Sequence, residues 1–152
     1  MLEKQVTIFI LWCLSLTMKT LLSFILILLI LPGCEKAIEK AQEDAIVRAM
    51  TDGQWKITSF KVNSTDITSS FSTYKFQYYS NKTVDAINNG TVEKTGTWDG
   101  DAATMTTSAN FTGAVSPLSL INGSWHIDNS SWTYVVATQA GAETKTMRLD
   151  KL

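Results

Sequence analysis

The sequence predicts an all-β domain, an eight-stranded antiparallel barrel of up-and-down topology, preceded by a short N-terminal helix. Three observations lead to this. From Gln54 onward, apolar and polar residues alternate with period two, as in Trp55-Lys56-Ile57 and Tyr74-Lys75-Phe76-Gln77-Tyr78. Eight such runs follow one another at short, regular spacing, separated by turn-forming residues. Closing them into a ring removes the exposed strand edges that a two-sheet sandwich would keep.

The elements run in order as follows. From Cys34 to Met50 the chain is rich in helix formers and lacks Gly and Pro. Ile38, Ala41, Ala45 and Ala49, with Ile46 and Met50 beside them, make one apolar stripe at helical spacing, and Thr51-Asp52-Gly53 supplies a stop. This helix is either a solvated tether or a cap whose stripe docks on an open barrel end. The first strand lies around Trp55 and Ile57, and the second covers Tyr74 to Tyr79. The rest cover Thr83–Asn88, Val92–Trp98, Thr104–Phe111, Ser124–Asp128, Trp132–Thr138 and Thr144–Leu149. Asn89-Gly90, Asp99-Gly100 and Asn122-Gly123 are dipeptides that accept the positive φ of hairpin turns. The expected inward set is Trp55, Ile57, Tyr74, Phe76, Tyr78, Trp98, Phe111, Trp125, Ile127, Trp132 and Tyr134. Aromatics of this size leave little free space in a ring of eight strands.

The chain before Cys34 is of a different kind. Hydrophobic residues make up 45% of the whole sequence and are concentrated there, and from Met18 the segment reads as one positive charge at Lys19, an apolar run from Leu21 to Leu31, and Leu31-Pro32-Gly33-Cys34. This is the anatomy of an export signal, and the run is shorter than the roughly 20 helical residues that span a bilayer. The last four residues resemble a lipobox. The resemblance implies a type II signal peptide over 1–33, with Met18 a possible true start, and fatty acyl chains such as palmitate on Cys34. It implies a tether over 34–52, the barrel over 53–152, and a lipoprotein held on a membrane of the cell envelope. Outer membrane is the expected address, on its periplasmic face or at the cell surface. The alternative is an uncleaved signal anchor built from Val6–Thr17 and Leu21–Leu31 together, which would bury Lys19 at a cost of about 3 kcal/mol.

Gly recurs two residues before Trp in Gly53-Gln54-Trp55, Gly96-Thr97-Trp98 and Gly123-Ser124-Trp125, a pattern that suits close backbone approach with the indole turned inward. Together with Tyr74-Lys75-Phe76 and the closing Met147-Arg148-Leu149, the region from Gly53 to Leu152 resembles the small lipocalin-like lipoproteins of Gram-negative bacteria. It is shorter than ligand-carrying lipocalins and lacks their disulfide. The resemblance implies structural roles for Trp55, Trp98, Trp125 and Arg148, with the Arg148 guanidinium laid across the Trp55 indole. Strand alternation offers the opposite reading, an Arg148 that faces solvent between Met147 and Leu149.

Chemistry is sparse. Cys13 and Cys34 are the only cysteines, so the exported domain has no disulfide, thiolate metal site or Cys nucleophile. His126 is the only histidine, and alternation turns it outward. Asp99-Gly100-Asp101 lacks the other ligands of a calcium loop. No catalytic residue, metal site or cofactor is therefore expected, and the protein reads as a non-enzyme. The whole chain carries −1, and without Lys4, Lys19 and Glu3 about −2 remains, which excludes a basic field for nucleic acid. The expected partners are a membrane, through the lipid, and another envelope protein that the barrel, as a monomeric scaffold, engages. The alternative is a small hydrophobic ligand in the barrel mouth, with Tyr74, Phe76, Tyr78, Trp132 and Tyr134 as the candidate lining.

Overall fold

The computed structural model describes residues 34–152; the expected export signal lies outside the described residues. The chain forms helix α1 (Cys34–Thr51) and strands β1 (Trp55–Val62), β2 (Thr65–Asp66), β3 (Tyr74–Tyr78), β4 (Thr83–Asn88), β5 (Thr91–Asp101), β6 (Thr106–Asn110), β7 (Gly123–Ser130), β8 (Tyr134–Gln139) and β9 (Lys145–Lys151). From β3 to β9 each strand pairs antiparallel with its sequence neighbour, and β1 pairs with both β3 and β9. The result is a closed barrel of eight antiparallel strands, as expected. The two-residue β2 folds back on the end of β1 through Asn63 and Ser64, both at positive φ.

Three of the turn expectations meet different outcomes. Asn89 (φ 50°) and Gly90 (φ 83°) make the tight β4–β5 hairpin. Asp99-Gly100 does not turn: it continues β5, and the turn comes next, where the Asp101 carboxylate accepts the backbone N–H groups of Ala103 and Thr104. Asn122-Gly123 closes no hairpin either. A 3₁₀ turn (Leu118–Ile121) precedes it, and the Asn122 side chain both accepts from the Phe111 N–H and donates to its carbonyl, pinning the start of β7 to the end of β6.

The barrel has two unlike ends. Where β1 finishes and β3 begins, the interior is closed by Phe71, from a 3₁₀ turn (Thr68–Phe71), and by Leu118; both are fully buried. Phe71 lies 4.8 Å from Phe60, and ring contacts run on from it through Tyr74 and Phe76 to Phe111. At the other end, where β1 starts, lies the C-terminal half of α1. Ile46, Val47 and Met50 pack against the core, whereas Ala41 to Asp44 are exposed. The apolar stripe therefore docks, but only in its last two turns. Gly53, at φ 91°, then releases the chain into β1.

Each Gly-x-Trp places a buried indole whose N–H reaches a backbone carbonyl. Trp55 donates to Met50 (2.9 Å), Trp98 to Tyr79 (3.1 Å) and Trp125 to Ile121 (2.8 Å). These bonds satisfy donors that would be costly to bury unpaired, and each ties a strand to the element just outside it. Arg148 does not join them. Met147 and Leu149 point inward, so Arg148 points out, where it makes two hydrogen bonds to Asp150 and lies 4.5 Å from the Tyr134 ring. The cation over Trp55 is Lys151, at 5.6 Å, which the β1–β9 register sets directly opposite Trp55.

The Arg148 pair gives the closing seam a pH dependence. The Arg148 hydrogen bond holds the Asp150 carboxyl below its ordinary range, with a further bond from Thr58, against an opposing effect of partial burial. A depressed carboxylate pKa stabilises the fold above the unfolded value of about 3.9 and loses that contribution as pH falls through the folded value. Asp150→Asn is expected to lower stability at pH 7 and to flatten the decline between pH 5 and pH 3. The effect stays below about 1 kcal/mol, because the Arg148 side chain is 42% exposed and solvent screens the pair. Thermal melts at pH 7, 5 and 3 check this; an unaltered acid slope would mean the pair carries none of it.

Candidate functional site

The strands leave one sizeable apolar cavity, of about 110 Å³, between the barrel interior and α1. Ile46, Ala49 and Met50 form its cover, and Tyr78, Trp98, Trp125 and Leu149 line it from the barrel. The cover sits close because of Gly100: a Cβ there would stand 3.1 Å from the Ile46 Cγ2. Gly100 thus serves as the seat of the helix in mid-strand rather than as a turn residue. A second connection holds the cover down at its edge, where Lys82 bridges Glu43 of α1 (3.2 Å) and Asp99 of β5 (2.9 Å). Partial burial of Lys82 opposes its charge, but the bonds to both carboxylates outweigh it and raise its pKa, and the same bond to Lys82 lowers that of Asp99.

The five candidate lining residues do not come together. Tyr78 lines the cavity; it is 8% exposed, and its hydroxyl has no hydrogen-bond partner among the described residues. Burial alone pushes its pKa up, so the group is a neutral phenol at every physiological pH. Phe76 is locked between Tyr74 and Phe111. Tyr74 is buried toward the opposite end and gives its hydroxyl to Glu93 (2.7 Å); burial, then Glu93, pushes it up to about 12. Trp132 and Tyr134 do not point inward. Trp132 is 58% exposed at the tip between β7 and β8, and Tyr134 lies on the outer face beneath Arg148. In β8 the inward positions are those of Val135 and Ala137, which stand opposite Leu149 and Met147. Of the expected inward set, Ile127 is half-buried.

No polar or charged residue is buried among the described residues, and none of their His, Cys, Asp and Glu side chains form a group of three that could hold a metal ion. His126 is exposed, opposite Thr106 and Thr138 in the sheet. A cavity lined this way is suited to apolar contact with one hydrogen bond from Tyr78. An engineered cavity of about 150 Å³ takes a single benzene ring, so this one has no room for an acyl chain or a haem-sized molecule.

No family model matches the chain, and no curated protein matches it. Among solved structures, a protein of the DUF4847 family from Bacteroides vulgatus is similar in fold. Its TM-score is 0.51 at 11% identity, over 69% of this chain and 96% of that one. At that identity the likeness is one of architecture: an antiparallel barrel built on a similar path.

Proposed function

We propose that the protein is a lipoprotein of the bacterial cell envelope, anchored through Cys34, whose barrel serves as a scaffold that presents its loops to another envelope component.

 It needs neither a metal nor a cofactor and catalyses no reaction. The observation that carries this reading is the filled interior. Trp55, Phe60, Phe71, Phe76, Phe111 and Trp125 are all at most 1% exposed, and the space they leave is ring-sized at most. Such a barrel is a solid body, and its variable parts are its loops. Cys34, the last residue of the lipobox-like Leu31-Pro32-Gly33-Cys34, is also the first residue of α1, so a lipid there would sit on the chain that leads into β1. No helix among the described residues is long and apolar enough to cross a membrane. The outer membrane, on its periplasmic face or at the cell surface, is the proposed address.

Cys34→Ala tests the anchor. It is expected to move the protein from the membrane to the soluble fraction; continued membrane association would refute lipidation as the attachment.

A second reading is favoured by the unpartnered Tyr78 hydroxyl. In it, the cavity under α1 takes a small neutral molecule with one hydrogen-bonding group. Native mass spectrometry separates the two: a bare mass supports the solid scaffold, and a co-purifying small molecule supports the ligand site.

A further inference from the structure

The barrel end that carries α1 differs from the other in its tips. The β3–β4 connection exposes Tyr79 (42%), the β5–β6 turn Met105 (42%), the β7–β8 connection Trp132 (58%), and the chain after β9 Leu152 (54%). All three hairpin tips at this end, and the segment after the last strand, thus hold out a large apolar side chain. At the opposite end the large exposed apolar residues are valines, Val92 and Val115.

Folding uses one of these tips, Tyr79, whose hydroxyl donates to Asp85 (2.9 Å), but does not account for the others. The Trp132 indole makes no hydrogen bond among the described residues. Met105 holds a left-handed backbone at φ 52°, which a bulky side chain adopts only at a cost. The tips belong to different hairpins around the ring, with α1 beside them, so they form separate points rather than one continuous patch. A rigid protein partner needs a continuous complementary surface, whereas a fluid interface accommodates separate points. Tyr and Trp, apolar in body and polar at one edge, are the residues that settle at the membrane–water interface.

Lys82 is taken up by Glu43 and Asp99 and Lys151 by Asp52, so these two rim cations are held within the protein. Insertion of the apolar tips does not depend on headgroup charge.

We infer that the barrel seats this end on a lipid surface, with Met105, Trp132 and Leu152 entering the headgroup region. The inference rests on the anchor proposed above, since the chain enters the barrel at this end, through Gly53 into β1, and a lipid on Cys34 upstream would tether the domain by that end. It also makes the contact intramolecular, so that weak tips suffice.

The test uses the full-length protein, expressed with its own N-terminus and reconstituted into phosphatidylcholine vesicles with and without brominated acyl chains. Seating predicts that brominated lipid quenches part of the tryptophan emission and that Trp132→Phe, an exposed substitution that leaves the core intact, loses that part. A tryptophan placed at the far end, Val115→Trp in the Trp132→Phe background, is expected to stay unquenched.

Floating protein without Trp132-dependent quenching would overturn the seat and leave the anchor standing. Trp132-dependent quenching in protein whose intact mass shows no acyl chain would uphold the seat and overturn the anchor. Protein that does not float with vesicles overturns both.

Discussion

Gly96→Ala is expected to destabilise the barrel by about 3 kcal/mol, the upper end of the usual cost of overpacking, and to lower Tm by on the order of 10 °C. A Cβ at this position would stand 2.5 Å from the Asn110 carbonyl oxygen, 3.1 Å from its carbon and 2.7 Å from Cδ1 of Phe111. Two of these atoms are backbone, so no rotamer change relieves the contact, and β5 and β6 must separate where Thr97 faces Asn110. Phe111 would shift with them, although it is 1% exposed and packed against Phe76. Gly141→Ala is the control, since its nearest neighbour is a carbonyl oxygen at 3.7 Å and its backbone is not left-handed. Thermal melts of the two variants decide the matter: equal Tm values would show that the β5–β6 crossing has room for a methyl group.

Removal of residues 35–50 is expected to cost a further large amount, on the order of 4 kcal/mol. The deletion strips Ile46, Val47 and Met50 from the core, at roughly 1 kcal/mol each for half-buried side chains. It also takes away the Met50 carbonyl that accepts the Trp55 indole N–H, a bond worth about 1 kcal/mol. Trp98, Trp125 and Leu149 would then face water through the opened cavity. Chemical denaturation of the shortened and full chains, compared at equal slope, measures the difference. An unchanged midpoint would return α1 to the role of a solvated tether.

The barrel was legible because its information is local. Tyr74 to Tyr78 alternates without a break, Asn89-Gly90 lies directly between two alternating runs, and each Gly-x-Trp announces a buried ring. The docking of α1 was half legible: periodicity identified Ile46 and Met50, but no local signal told that the stripe stops engaging before Ala41. Features set by partners distant in sequence were harder to read. The bulk of Trp132 and Tyr134 suggested core, yet direction on β8 is set by its register with Met147 and Leu149, which turns Val135 and Ala137 inward. Arg148 was matched to Trp55 by resemblance, whereas β9 runs on to Lys151 and brings that residue opposite the indole. The segment from Thr65 to Phe71 has no alternation at all, and its value lies in one side chain, Phe71, that plugs the barrel end where β1 finishes and β3 begins. The cavity was placed at the mouth for the same reason: the plug at one end and the helix at the other are both tertiary facts, and of the five candidate residues only Tyr78 lies where they leave space.

The β1–β9 seam joins strands that lie almost a full domain apart in sequence, Trp55 against Lys151, with the Leu152 N–H closing on the Gln54 carbonyl. Until β9 is in place, β1 and β8 each present an open edge ready to pair with another chain. Ring closure is thus the last contact the growing chain can make and one of the most distant, which slows folding and lengthens the time those edges stay exposed. Under the export proposed above, this order would be useful: the N-terminal strands cannot lock into a finished barrel on the side of synthesis while the strand that completes it has not yet been made.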